Sequence, residues 1–246
     1  MLSLPNYLWR GWFVVLGTIF TLIFGLPVYL LSYRKKDYRY AYFFIRLWAY
    51  GIFYGMGFSY SFKNLSNSKL DVKQQYIIIA NHTSAMDIML MYILFPKHPI
   101  CFVGKAEISK IPVLGLIYKR ICILVDRSSP KSKMEVYTKC AQRLKEGNSI
   151  VIFPEGGVPD DTNIILDTFK KGAFVLSYKH RYPIAVYSIV GLKERFPFDN
   201  SKGYPGKISV FFNGILFPNS NTEDSKSRAR ASIKKTLTLY SQENKK

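Results

Sequence analysis

At 246 residues the chain is long enough for one sizeable domain plus a short appendage, and too short for two full domains. Apolar residues make up 48% and aromatics 16%, which excludes a disordered chain. The formal net charge of +19 calls for an anionic partner, and by itself leaves nucleic acid, an anionic membrane surface and an acidic protein or cofactor all open.

Residues 12–31 (WFVVLGTIFTLIFGLPVYLL) carry no charge and are long enough to span a bilayer. They lack a small-residue cleavage site, so a removed signal peptide is the weaker reading. Arg34, Lys35, Lys36 and Arg39 follow, and such a cluster favours keeping the rest of the chain on the cytoplasmic side. Residues 40–62 are apolar and aromatic-rich but contain Arg46, Gly51, Gly55 and Gly57, the pattern of a segment lying in the membrane interface. The two segments predict an N-terminal hydrophobic two-helix membrane anchor over residues 1–62, dipped as a hairpin into one leaflet. The competing reading is a pair of core helices in a soluble protein.

A polar stretch, 63–75, reads as a linker into a domain over residues 63–246. There, short apolar runs at 76–80, 100–104, 122–126 and 149–153 read as buried strands, with further strands at 183–190 and 207–212. Helical patterns cover 84–95, 130–146, 169–179 and 223–242; Gly147 ends the second, and Ile233, Leu237 and Tyr240 form one stripe of the last. The prediction is an α/β domain behind the anchor. Cys101, Cys122 and Cys140 are odd in number and lack CxxC spacing, so neither a disulfide framework nor a thiolate metal site is expected. No cluster of metal ligands is evident in the sequence.

Two motifs carry chemistry. The run NHTSAMD, residues 81–87, follows a strand and opens a helix. Residues five apart lie about 140° apart on a regular helix, so His82 and Asp87 meet only if His82 sits in the turn and Asp87 in the first helical turn. There the carboxylate can fix the imidazole tautomer and leave the other ring nitrogen as a general base. Ser84 and Asp87 also fit a capping box, so a purely structural Asp87 competes with this reading. The second motif, FPEGG at 153–157, again ends a strand and aims a carboxylate out of the sheet end, where α/β proteins place their ligands. Its competitor is an ordinary Pro-Gly turn.

In combination these motifs are far more specific. NHxSxxD followed by FPEG resembles the 1-acylglycerol-3-phosphate acyltransferases and their glycerolipid relatives. KAEISKIPVLG (105–115), ILVDR ending at Arg127, FKKGAF (169–174) and YPIAVY (182–187) are similar to further family segments, in the same order. The resemblance runs from about residue 76 to 214. It implies a mixed sheet flanked by helices, and an enzyme that moves a fatty acyl group from an acyl carrier protein or coenzyme A thioester to a lysolipid hydroxyl. His82 is then the general base and Asp87 its orienter, with no acyl-enzyme, no cofactor and no metal. Main-chain N–H groups at the helix start are the expected oxyanion donors. The implied substrate-binding set is Asn81, Ser84, Lys105, Arg127, Phe153, Pro154, Glu155, Gly156, Lys170 and Lys171.

The family usually continues Thr-Arg-Ser after Pro-Glu-Gly, its arginine gripping the acceptor phosphate, whereas this chain has Gly157, Val158 and Pro159. Either Lys105, Arg127, Lys170 and Lys171 supply that charge to 1-acyl-sn-glycerol-3-phosphate, or the acceptor is another lysolipid, such as an aminoacyl one. The positive charge suits an acidic carrier protein, coenzyme A phosphates or an anionic leaflet. Two further classes compete: a catalytically silent membrane scaffold, and a nucleic-acid-binding protein. No nucleic-acid-binding signature supports the latter, so membrane lipids, and not nucleic acid, are the expected partner.

Overall fold

The computed structural model describes residues 4–34, 38–159 and 164–241. Lys35 and Lys36 of the predicted basic cluster, and Gln242 of the predicted last helix, lie outside the described residues. The chain divides into two compact units, one of Met1–Tyr7, Gly57–Asp87 and Ile152–Lys246, the other of Leu8–Met56 and Ile88–Val151.

The second of these units is built on a helical hairpin. α1 (Leu4–Leu31) runs for 28 residues, and α2 (Tyr38–Gly55) returns antiparallel to it. Glycines on α2 let the helices approach: a Cβ at Gly51 would overlap the Phe20 ring, and one at Gly55 would lie 2.8 Å from a Leu16 methyl. Polar ties reinforce the pairing, with Trp12 Nε1 donating to the Gly55 carbonyl at 3.0 Å and Trp48 Nε1 to Thr21 Oγ1 at 3.0 Å. α2 buries Ala41, Ile45, Ile52 and Phe53, and its Tyr42 hydroxyl donates to the Phe95 carbonyl at 2.8 Å. α1, in contrast, leaves Val15, Ile19, Leu22, Leu26 and Leu30 exposed in one stripe. It is the one described helix long and apolar enough to cross a membrane.

The same unit holds three parallel strands, with β3 (Ile100–Lys105) between β4 (Ile123–Val125) and β5 (Ser149–Ile152). A 3₁₀ turn (Ala106–Lys110) and α4 (Leu114–Ile121) lead from β3 to β4. α5 (Pro130–Lys145) starts on the Ser129 cap, has Pro130 in its first turn and ends before Gly147 at φ +87°. Parallel pairing buried by helices explains why these strands read as unbroken apolar runs.

The other unit carries β1 (Phe58–Asn64), β7 (Gly206–Leu216), β6 (Ile184–Val190) and β2 (Ile77–Ile79), in that order. β1 pairs parallel with β7, β7 antiparallel with β6, and β6 parallel with β2. α3 (Met86–Leu94) opens in this unit, followed by α6 (Gly172–His180), the short α7 (Leu192–Arg195) and α8 (Thr222–Ser241). α8 packs on β6 and β7 through Ala229, Ile233 and Leu237, and Tyr240 stacks on Phe211 at 4.2 Å. The fold is α/β, with mixed strand pairing flanked by helices, as the sequence predicts.

Residues 58–64 correct one local reading. Assigned from sequence to the end of the interfacial segment and the start of a linker, they form β1. Only Phe58 of this strand is buried, so main-chain pairing with β7, not an apolar face, holds it. Such a strand leaves little periodic trace in the sequence.

Candidate active site

The site grows from the turn between β2 and α3. Asn81 closes the strand: its Nδ2 donates to the Ile189 carbonyl and its Oδ1 accepts the Ile189 N–H, both at 2.8 Å, tying the turn to the end of β6. Ser84 Oγ donates to the Phe196 carbonyl at 2.7 Å and accepts the Met86 N–H at 3.1 Å. Both side chains are buried and occupied by the protein itself; they hold the turn in shape.

Asp87 lies in the first turn of α3 and reaches back. Its Oδ2 accepts the N–H groups of Thr83 and Ser84 at 2.8 and 2.9 Å, and the same oxygen stands 2.9 Å from His82 Nδ1. One oxygen therefore serves both roles weighed from the sequence, helix cap and imidazole partner. The carboxylate is fully buried while the His82 side chain keeps 19% exposure. An acceptor facing Nδ1 puts the proton there in the neutral ring and leaves Nε2 with the lone pair. The Phe153 ring lies parallel to the imidazole, with centroids 4.2 Å apart and 13° between planes, which fixes the ring's tilt.

Glu155 holds the main chain of the turn. Its Oε1 accepts the His82 N–H at 2.8 Å and its Oε2 the Asp167 N–H at 2.9 Å. Burial pushes its carboxyl above the usual range; the two main-chain donors and His82 oppose that rise, and Asp87 adds to it. The segment that presents Asp167 is itself held by Arg230 of α8, whose guanidinium donates to the carbonyls of Leu166 and Asp167, both at 2.9 Å. Arg230 and Asp167 were not singled out from the sequence. Arg230 sits among the basic residues of a helix that reads as a charged face, and no local signal separates it from them.

Gly156 has φ +77°, and a Cβ there would lie 2.6 Å from Lys170 Nζ, so the lysine lies across the glycine. The Lys170 N–H also donates to the Pro154 carbonyl at 2.8 Å, and Lys171 stands at the N-cap position of α6 without a side-chain cap bond. The structure thus brings His82, Asp87, Phe153 and Glu155 into one constellation, with Lys170 over the adjoining Pro-Glu-Gly turn. Lys105, at the end of β3, and Arg127, after β4, belong to the other unit; both are exposed. Asp126 Oδ1 accepts from Ser128 N and Oγ at 2.9 and 2.6 Å, shaping the turn that carries Arg127.

At the helix start the N–H groups of His82, Thr83, Ser84, Met86 and Asp87 have partners within the protein, and they cap and position the turn. The cysteines are buried and unbridged, and burial raises the Cys101 thiol to about 11, far from a reactive thiolate. Among the described residues no group of three or more His, Cys, Asp or Glu is placed to hold a metal ion.

A sequence model of the acyltransferase family matches residues 61–190. A chloroplastic 1-acyl-sn-glycerol-3-phosphate acyltransferase of Brassica napus is 29% identical over 73% of this chain and 50% of its own length. A probable 1-acyl-sn-glycerol-3-phosphate acyltransferase of Mycoplasma pneumoniae is 26% identical over 69% of this chain and 68% of its own. The chain spans about half the length of the algal and plant relatives it matches. The crystal structure of the 1-acyl-sn-glycerophosphate acyltransferase PlsC from Thermotoga maritima shares the fold, with a TM-score of 0.79 over 97% of both chains at 22% identity.

Proposed function

The chain belongs to the acyltransferase family, whose match covers more than half its length, and from that premise we propose that it acylates a membrane lysolipid from an acyl thioester. The observation that carries the reading is the 2.9 Å contact between His82 Nδ1 and the buried Asp87 carboxylate, beneath a partly open imidazole. His82 Nε2 takes the proton of the acceptor hydroxyl as its oxygen attacks the thioester carbonyl. Asp87 stabilises the resulting imidazolium. Collapse of the tetrahedral adduct breaks the C–S bond, and the departing thiolate recovers the proton from His82. The ester forms in one transfer without an acyl-enzyme, and the scheme needs no metal or cofactor. The donor is an acyl carrier protein or coenzyme A thioester, both anionic and suited to a chain of charge +19.

The acceptor is 1-acyl-sn-glycerol-3-phosphate, giving phosphatidic acid. Its support is the substrate in the names of the relatives, together with Lys170 at the Pro-Glu-Gly turn, a cation fit for a phosphate. A second acceptor, an uncharged or aminoacyl lysolipid, is favoured by Gly157, Val158 and Pro159 where the family carries its arginine. The exposed apolar α1 attaches the protein to the membrane, and Arg34 and Arg39 keep the active site on the cytoplasmic side.

The test is acyl transfer by detergent-solubilised protein to a panel of lysolipids that includes lysophosphatidic acid and an aminoacyl lysolipid. Transfer to lysophosphatidic acid supports the first acceptor; transfer confined to the others moves the assignment to the second. His82→Ala must abolish transfer while leaving the protein folded and on the membrane, and near-normal turnover by that variant would overturn the general-base role.

A further inference from the structure

The loop between the 3₁₀ turn and α4 displays apolar side chains that the chemistry above does not use. Ile111, Val113 and Leu116 are 47%, 49% and 58% exposed, packed into six consecutive positions. Their unit is the one that carries α1, and α4 lies directly on that helix. A Cβ at Gly25 would lie 2.8 Å from the Ile117 terminal methyl. One turn further on, the Arg120 guanidinium sits 4.1 Å from the Tyr29 ring centroid and 5.2 Å from that of Tyr33.

These contacts set a position along α1. Ile117 meets α1 at Gly25 and Arg120 meets it at Tyr29, so α4 runs alongside α1 in the same direction. Tyr29, Tyr33 and Arg120 form the amphipathic end that suits headgroups. Counting back along both helices at 1.5 Å per residue puts the start of α4 roughly 10 Å along α1 from Tyr29, beside the exposed Leu22 and Leu26.

Irregular backbone is normally excluded from lipid because its polar groups have no partners there. This loop satisfies all of its N–H groups internally except that of Val113. The N–H of Ile111 donates to Ile108, that of Leu114 to Pro112, that of Gly115 to Ile111, and those of Leu116 and Ile117 to Val113, while Pro112 has none to satisfy. Gly115 permits the fold-back, since a Cβ there would run into the Ser109 carbonyl.

Val113 points the same way. It has φ 60° and ψ −61°, at the centre of a γ-turn of the rare positive-φ hand closed by the 2.6 Å bond from Leu114 to Pro112. A β-branched residue is strained there and glycine would fit without penalty. An exposed valine gains nothing in water to offset that strain; in an acyl-chain environment its side chain does.

We infer that residues 111–116 form a second membrane-inserting element, a hook that enters the same leaflet as α1 and sets Ile111, Val113 and Leu116 among lipid acyl chains. The occupant is a bilayer with anionic headgroups, because the exposed Lys110 and Lys119 flank the apolar loop and Arg120 lies at the tyrosine level. The inference rests on the reading of α1 as a membrane helix and is independent of the acyl-transfer chemistry.

The experiment attaches an environment-sensitive fluorophore to single introduced cysteines in the full chain: Leu116→Cys in the loop, Leu22→Cys on α1 and Met134→Cys on α5. The buried native cysteines react poorly and serve as the unlabelled background. In phosphatidylcholine–phosphatidylglycerol vesicles, quenching by lipids brominated along the acyl chain is compared with quenching by aqueous iodide. The expected result is bromolipid quenching at positions 22 and 116 and iodide quenching at 134. Iodide quenching at 116 with bromolipid quenching at 22 overturns the hook and leaves α1 in the membrane. Shielding of 116 from both quenchers also overturns it, in favour of a protein cover. Failure of both 22 and 116 to meet lipid removes the α1 reading and the hook with it.

Val113→Gly supplies an independent arm. The hook predicts unchanged or higher thermal stability in detergent and roughly threefold to tenfold faster transfer between vesicles. Lower stability with unchanged transfer would assign the loop a packing role only.

Discussion

Glu155 supports His82 through the main chain and not through the ring: one carboxylate oxygen takes the His82 N–H at 2.8 Å and the other takes that of Asp167 at 2.9 Å. Both oxygens face donors, so glutamine cannot substitute without turning its NH₂ toward an N–H. Glu155→Gln is therefore expected to lower stability by about 1–3 kcal/mol, and to reduce turnover about tenfold to a hundredfold through misplacement of the turn. The pH dependence has a definite sign. Burial raises the folded-state pKa of Glu155 above its unfolded value. Its contribution to stability is thus complete below the ordinary glutamate value of about 4.3 and is lost as pH rises through the raised pKa. Denaturant midpoints measured against pH must show the gap between wild type and Glu155→Gln narrowing upward from there.

Asp87 Oδ2 serves two functions that substitution can separate. Asparagine keeps an oxygen to accept the N–H groups of Thr83 and Ser84, so Asp87→Asn should stay within about 1 kcal/mol of wild-type stability. It cannot stabilise an imidazolium, so kcat should fall about 10²- to 10⁴-fold. Asp87→Ala should lose both. Thermal unfolding and steady-state kinetics on the two variants decide the matter, and an active asparagine variant would reduce Asp87 to a helix cap.

The contrast between these two carboxylates explains what the sequence disclosed. His82 and Asp87 are five residues apart across a turn and a helix start, so elementary helix geometry constrains how they meet. Glu155 stands 73 residues from His82, and its partners are main-chain groups, identical in every residue type. Its ligand-like position could be read from the strand-end turn, but not its hydrogen bonds. Arg230 was hidden for the same reason: it binds carbonyls from 63 and 64 residues away, within a helix rich in other cations. The strands that are buried on both faces were legible as apolar runs. β1 was not, because it is an edge strand whose side chains are mostly exposed. α4 escaped as well: its buried face is only Gly115, Ile117 and Ile121, too short for a clear helical period.

Phe153 contributes orientation without contacting a proton. Its ring stacks on the imidazole at 4.2 Å, and such pairs contribute about 0.5–1.5 kcal/mol. Phe153→Leu should therefore lower kcat by about twofold to tenfold, with little change in the acceptor KM. Phe153→Tyr, which keeps the ring, should restore most of the loss. A uniform rise in KM in the leucine variant would instead make Phe153 part of the substrate surface.

Gly156 and Lys170 test the acceptor charge together. Alanine at Gly156 must adopt φ +77°, at a cost of about 1–2 kcal/mol, and its Cβ would fall 2.6 Å from Lys170 Nζ and drive the ammonium aside. Lys170→Gln removes the charge without straining the turn. If this lysine grips the acceptor phosphate, Lys170→Gln raises the KM for lysophosphatidic acid about tenfold or more with kcat little changed, since the charge-assisted contact is lost and the base is untouched, while Gly156→Ala raises the same KM and also lowers kcat through the strained turn that carries Glu155. The same variants should leave KM for an uncharged lysolipid unaltered. Equal effects on both acceptors would mean that Lys170 shapes the turn and that the phosphate is bound elsewhere.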